Sequence, residues 1–124
     1  SENVKFLGVR NDIPDLLKKS DIYVMASEWE GLSISLIEAL ASGIPIVATD
    51  AGSNSEIVEN NVSGLIVPIK DPETLAKSLY NLIIDDQMRK KFSKEATIKA
   101  QQFTIEECAK KHIEMYKEVL SYRK

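Results

Sequence analysis

Four short apolar runs, Val4 to Leu7, Ile22 to Ala26, Pro45 to Thr49 and Leu65 to Val67, lack the polar alternation of a strand with one wet face. A strand that is apolar almost throughout is covered on both faces, as in a parallel sheet wrapped by helices. Helical patterns separate the runs. Asp12 to Lys19 forms the first crossover, with Asp12 as candidate cap and Leu16 and Leu17 toward the sheet. Ser35 to Ala41 is the second, stopped by Gly43, and Asn54 to Glu59 is a short third. The alternation predicts a doubly wound α/β layer with right-handed crossovers. About four strands are fewer than the roughly six of a nucleotide-binding sheet of this type, so the chain reads as a partial Rossmann-like sheet, incomplete at its N-terminus.

Beyond the fourth run only helices follow. Asp71-Pro72-Glu73-Thr74 supplies an acceptor cap, a proline at the first helical position and an acid in the first turn. Leu75, Leu79, Leu82 and Ile83 then recur at helical spacing as a core-facing stripe. Met88 to Gln102 reads as a basic helix, and Thr104-Ile-Glu-Glu107 opens a last one with a capping box. The stripe of that last helix is Ile105, Cys108, His112, Met115, Tyr116 and Val119. Residues 1 to 102 are thus expected to form the latter part of one domain, and residues 103 to 124 its C-terminal helix.

A chain of 124 residues can bury a single core without disulfides or metal. Its net charge of -3 offers no basic field for nucleic acid, and one cysteine, Cys108, leaves no internal disulfide or cysteine-rich metal site. No apolar run approaches the roughly 20 residues of a membrane span, and the first residues lack a signal peptide's charged and apolar regions. A cytoplasmic location, with neither nucleic acid nor a membrane span, is expected.

The chemistry concentrates between Ala26 and Gly43. Glu30 lies in the loop at the carboxyl end of the second run, where open parallel sheets place their ligands, and Glu38 lies in the helix that follows. Carboxylates accept charge-assisted hydrogen bonds from sugar hydroxyls, and one carboxylate can engage a vicinal diol. Between them Gly31, Ser33 and Ser35 sit where a helix begins, and unpartnered amides at a helix start favour a phosphate. One turn can therefore bind sugar, diphosphate and ribose. A structural reading stands beside this one, because Ser35-Leu-Ile-Glu38, Ser27-Glu-Trp-Glu30 and Ser53-Asn-Ser-Glu56 all fit the capping-box pattern. Trp29 reads as a buried lid over the helix start or a stacking surface for a ring. His112 reads as a packed, hydrogen-bonded histidine, the lysines and arginines of Arg89 to Lys94 as a solvated helix face, and the turn Asp50-Ala-Gly-Ser-Asn54 as a wall of the site.

These residues resemble the nucleotide-sugar-binding domain of family 4 type glycosyltransferases, retaining enzymes of the GT-B fold. The resemblance runs through Phe6-Leu7-Gly8, Ser20-Asp21-Ile22-Tyr23-Val24 and Glu30-Gly-Leu-Ser-Ile-Ser-Leu-Ile-Glu38-Ala39. It continues through Ala41-Ser-Gly43-Ile-Pro45-Ile-Val-Ala-Thr49, Glu56-Ile-Val, Gly64-Leu-Ile-Val-Pro68 and Asp71-Pro72, in the family's order. It implies that Glu30 contacts donor-sugar hydroxyls and Glu38 the ribose, that amides around Ser33, Ile34 and Ser35 hold the diphosphate, and that Val9 and Arg10 lie beside the base. It implies sugar transfer from a nucleotide-diphosphate donor with retention of configuration, with no bound metal and no cofactor. This chain departs from the family at Ser33, where a second glycine is usual, and at Gly52-Ser53, which replaces a glycine pair.

The resulting expectation is a fragment of a retaining hexosyltransferase that carries the paired-glutamate part of the donor site. Its partners would be the nucleotide-sugar donor and the absent N-terminal domain of the same enzyme, without which the fragment is inactive. A phospho-receiver domain built on Asp12, Asp50 and Lys70 is an alternative, and a non-catalytic carbohydrate-binding module is another.

Overall fold

The computed structural model describes residues 2 to 122. Its order is α1 (Ile13–Lys18), β1 (Tyr23–Met25), α2 (Ile34–Ser42), β2 (Ile46–Thr49), α3 (Asn54–Ile57), β3 (Leu65–Val67), α4 (Pro72–Ile84) and α5 (Asp86–Ala100), then a 3₁₀ turn (Gln101–Phe103) and α6 (Ile105–Ser121). The three strands pair in parallel in the order β1-β2-β3, with Val24 opposite Val47 and Ala48 opposite Ile66. Each connection crosses through a helix, as the unalternated apolar runs require.

The central strand shows why those runs are apolar. All four residues of β2 are buried. Ile46 and Ala48 pack with Leu36, Ala39 and Leu40 of α2 and Ala96 of α5, whereas Val47 packs on the other side with Val67, Leu82 of α4 and Phe92. Successive strand side chains point to opposite faces, so one strand feeds both cores.

The first apolar run forms no strand. Residues 4 to 7 carry no strand pairing, and Phe6 is 95% exposed. A strand is stabilised only through a partner, and the ladders among the described residues join β1 to β2 and β2 to β3 without reaching this run. The sheet among the described residues therefore has three strands where about four were expected.

Helix ends follow local chemistry unevenly. Asp71 caps α4, accepting from the Thr74 amide at 3.0 Å and the Thr74 hydroxyl at 2.6 Å, with Pro72 next in the chain. Thr104 caps α6 through the Glu107 amide at 3.2 Å, and Asp85 caps α5 through the Met88 amide at 2.9 Å. Gly43 ends α2 at φ 74°, a left-handed conformation costly for residues with a Cβ. Asp12 does not cap α1, because its carboxylate pairs with Arg10 instead.

The last helix keeps its apolar stripe in the open. No residue of α6 is buried, and His112 is exposed, its Nδ1 lying 2.7 Å from the Cys108 carbonyl oxygen within its own helix. The packed histidine expected from the stripe is thus hydrogen-bonded but unpacked. Arg123 and Lys124, the end of the segment assigned to this helix, lie outside the described residues, as does Ser1.

Candidate functional site

The loop from β1 into α2 and the turn from β2 into α3 meet at the carboxyl ends of the strands. Thr49, the last residue of β2, donates through its hydroxyl to the carbonyl oxygens of Ser27 at 2.6 Å and Met25 at 3.3 Å. Ser27 in turn donates its hydroxyl to Glu30 Oε1 at 2.6 Å, which fixes the half-buried carboxylate of Glu30. Ser53 donates to the Gly31 carbonyl oxygen at 2.7 Å from the other side. Buried Asn54 anchors the turn by donating to the Thr49 carbonyl oxygen at 2.9 Å.

None of the three capping-box patterns forms a box. Helix α2 begins at Ile34, so Ser35 is already inside it. Its N-cap is Ser33, whose buried hydroxyl points to Met25 Sδ at 3.4 Å and makes no cap bond. Ser27 and Glu30 bond to each other inside the loop, ahead of the start of α2, and Ser53 spends its hydroxyl on Gly31 rather than on α3.

Helix α2 therefore opens with neither a side-chain cap nor an acidic residue in its first turn. Its first amides and the positive end of its dipole remain available to an anion. Ile34 and Ser35 are exposed there. Glu38 is exposed one turn along and lines, with Ser35, a 370 Å³ cleft between α1, β1 and α2 whose other walls include Ile13, Leu16, Tyr23 and Val24.

Glu30, Ser33, Ile34, Ser35 and Glu38 thus lie on one loop and the helix it enters. Val9 and Arg10 do not join them. Val9 is fully exposed ahead of α1, and Arg10 is committed to Asp12 through two hydrogen bonds, at 2.7 and 2.5 Å. That pairing raises the Arg10 pKa and lowers that of Asp12, in both chiefly through the side-chain hydrogen bond.

Trp29 is 89% exposed at the rim of this loop, so it is not the buried lid that its position suggested. The loop that carries it is held at Ser27 by Thr49, and the ring is left at the surface. Sequence reasoning overlooked Thr49 as a site-building residue and met Ser27 only as a capping-box pattern, while Asn54 fell within the turn expected to wall the site. The only sequence signal of Thr49 is polarity at the end of an apolar run, which many surface residues share.

A larger cleft of 490 Å³ lies at the opposite end of the sheet, beside Pro45 and Asp21, with Lys18, Arg89, Lys90 and Lys94 on its walls. Arg89 donates to the Leu82 and Ile83 carbonyl oxygens at the end of α4, and Lys90 pairs with Asp86 at 2.8 Å. Arg89 and Lys90 are thus spent at the α4–α5 junction, and volume alone does not make that cleft the site. The phospho-receiver constellation does not assemble either. Asp12 pairs with Arg10, and Lys70 pairs with Glu28 at 3.5 Å rather than with Asp50. Among the described residues no group of three His, Cys, Asp or Glu side chains is placed to hold a metal, and no helix is long and apolar enough to cross a membrane.

Comparison with known proteins points one way. The sequence pattern of the family described as "Glycosyl transferases group 1" matches residues 1 to 99. A UDP-Gal:alpha-D-GlcNAc-diphosphoundecaprenol alpha-1,3-galactosyltransferase of Escherichia coli is 34% identical over 71% of this chain and 22% of its own length. An N,N'-diacetylbacillosaminyl-diphospho-undecaprenol alpha-1,3-N-acetylgalactosaminyltransferase of Campylobacter jejuni is 32% identical over 94% of this chain and 31% of its own. The crystal structure of HepE from Anabaena in complex with UDP superposes with a TM-score of 0.87 at 30% identity, covering 94% of this chain and 33% of that one. HepE has also been solved with UDP-glucose, where the TM-score is 0.83 at 31% identity, over 93% of this chain and 32% of that one. The chain thus spans about a fifth to a third of the length of these relatives.

Proposed function

Because the chain belongs to the glycosyl transferases group 1 family, we propose that it carries the paired-glutamate part of the donor site of a longer, retaining glycosyltransferase of GT-B architecture. The donor is a nucleoside-diphosphate hexose. The uncapped, acid-free start of α2 is the observation that carries this reading. A helix of nine residues opens beside two glutamates with its amides unspent, which is a poor arrangement for stability and a good one for a diphosphate.

In this reading the amides of Ile34 and Ser35 receive the diphosphate and stabilise the charge it gains as the bond to the sugar breaks. No metal and no cofactor are needed for that step. Glu30, held by Ser27, accepts hydroxyls of the donor sugar, and Glu38 on the adjoining helix turn accepts those of the ribose. Val9 and Arg10 would reach the base only by releasing the Arg10–Asp12 pair, which is exposed and weak. The acceptor and the closure that excludes water come from an N-terminal domain beyond this sequence, so the 124 residues alone are inactive and bind donor weakly.

UDP-bound and UDP-glucose-bound HepE makes UDP-sugars the first donors to screen. The test is transfer by the full-length enzyme across a panel of nucleotide sugars, with Glu30→Gln and Glu38→Gln compared on the best donor. Loss of a charge-assisted contact lowers kcat/KM about 10- to 100-fold. Unchanged turnover in both variants would leave the reading without its glutamates, and absence of transfer from every donor would favour an inert carbohydrate-binding module.

A further inference from the structure

We propose that Gly52 and Ser53 are positioning residues for Glu30, and that Ser53 sharpens the choice between donor sugars without touching them. This rests on the reading that Glu30 meets the sugar. Gly52 has φ +55°, and a Cβ built on it would stand 1.7 Å from the Glu30 carbonyl oxygen and 2.7 Å from its carbonyl carbon. The two loops are therefore in backbone contact at a place that admits only glycine. The next residue makes the second contact, because the Ser53 hydroxyl donates to the Gly31 carbonyl oxygen at 2.7 Å.

The Ser53 hydroxyl had a local alternative. Ser53 is the N-cap residue of α3, the position where serine ordinarily bonds its own helix, and it makes no such bond. Its hydrogen bond goes across the site, so the peptide after Glu30 is held by Ser53 while the Glu30 carboxylate is held by Ser27 at 2.6 Å. Backbone and side chain of one acceptor are thereby fixed from opposite ends. An acceptor with one allowed position discriminates between hydroxyl configurations, whereas a mobile one follows either epimer. A second glycine at position 53 would supply the turn without the brace.

Ser53→Ala, Ser53→Gly and Ser53→Thr test this, since each keeps the Gly52 contact and the turn. In the 124-residue chain, NMR should show the Gly31 carbonyl and the Leu32 amide shifting in the alanine and glycine variants and returning in the threonine variant. In the full-length enzyme, the ratio of kcat/KM for two donors epimeric at one hydroxyl should fall about 3- to 10-fold in Ser53→Ala, the range of one neutral hydrogen bond, with recovery in Ser53→Thr. Unchanged shifts and an unchanged ratio in Ser53→Ala overturn the proposal. Glu30→Gln separates the two levels. If that variant transfers sugar normally the donor reading fails and the specificity role with it, whereas normal losses in Glu30→Gln beside a silent Ser53→Ala remove the positioning role alone.

Discussion

Thr49 Oγ1 donates to the Ser27 carbonyl oxygen at 2.6 Å, tying the last residue of β2 to the loop that carries Glu30. Thr49 is only 5% exposed, so its hydroxyl is spent inside the protein rather than on water. Thr49→Val keeps the shape and removes the donor, leaving the Ser27 carbonyl oxygen without this partner. Urea unfolding should show a loss of about 1 to 3 kcal/mol. Donor affinity should fall with it. An unaltered midpoint would mean that the loop is held elsewhere.

Leu36 faces the core two residues past the exposed Ile34 and is fully buried among Met25, Leu40 and their neighbours. Its burial sets which way the start of α2 points. Leu36→Ala should cost about 2 to 5 kcal/mol through lost transfer energy and the cavity left behind. The check is a lowered urea midpoint with an unchanged slope. Ile34→Ala, on the exposed side of the same turn, should move the midpoint little.

The sheet was legible where apolar runs find partners. Pro45 to Thr49 became the fully buried β2, and Ile22 to Ala26 became β1 with its ends trimmed. Val4 to Leu7 is also mostly apolar, with Lys5 its one charged residue, and forms no strand, because composition reports affinity for a sheet and not the presence of a neighbour. Capping shows the same limit. Asp71, beside Pro72, capped as its pattern required, while Ser53 chose a carbonyl 22 positions away in sequence. A local motif cannot register a competing tertiary acceptor. Glu30 and Glu38 were legible as candidates, and the Ser27 to Glu30 spacing was visible but read as a helix cap, whereas the Thr49 and Ser53 contacts that hold the Glu30 loop each span 22 positions and no local spacing encodes them.

Asp71 gives a pH dependence with a definite sign. Its carboxyl lies below the ordinary value, first because of the Thr74 hydroxyl and then because of the Thr74 amide. A lowered folded value means stability that is full above the unfolded value of about 4 and lost as pH falls through the folded one. Asp71→Asn retains a capping oxygen without the charge. Melting temperatures of the two proteins should therefore converge as the medium is acidified below about pH 4 and separate above it. Parallel curves across that window would show that the carboxylate adds nothing beyond its shape.

Ser35→Asp separates fold from function at the start of α2. Ser35 is exposed in the first turn of a helix that has no acid there, so a new carboxylate meets the positive end of the dipole. That contact should stabilise the protein by about 0.3 to 1 kcal/mol. The same charge would occupy the place proposed for the diphosphate and repel it. Transfer by the full-length enzyme should then fall at least about 10-fold while the melting temperature stays level or rises. The opposed signs matter, because damage to the fold lowers both quantities together. If Ser35→Asp stabilises the chain and leaves donor affinity intact, the diphosphate does not sit on this helix start.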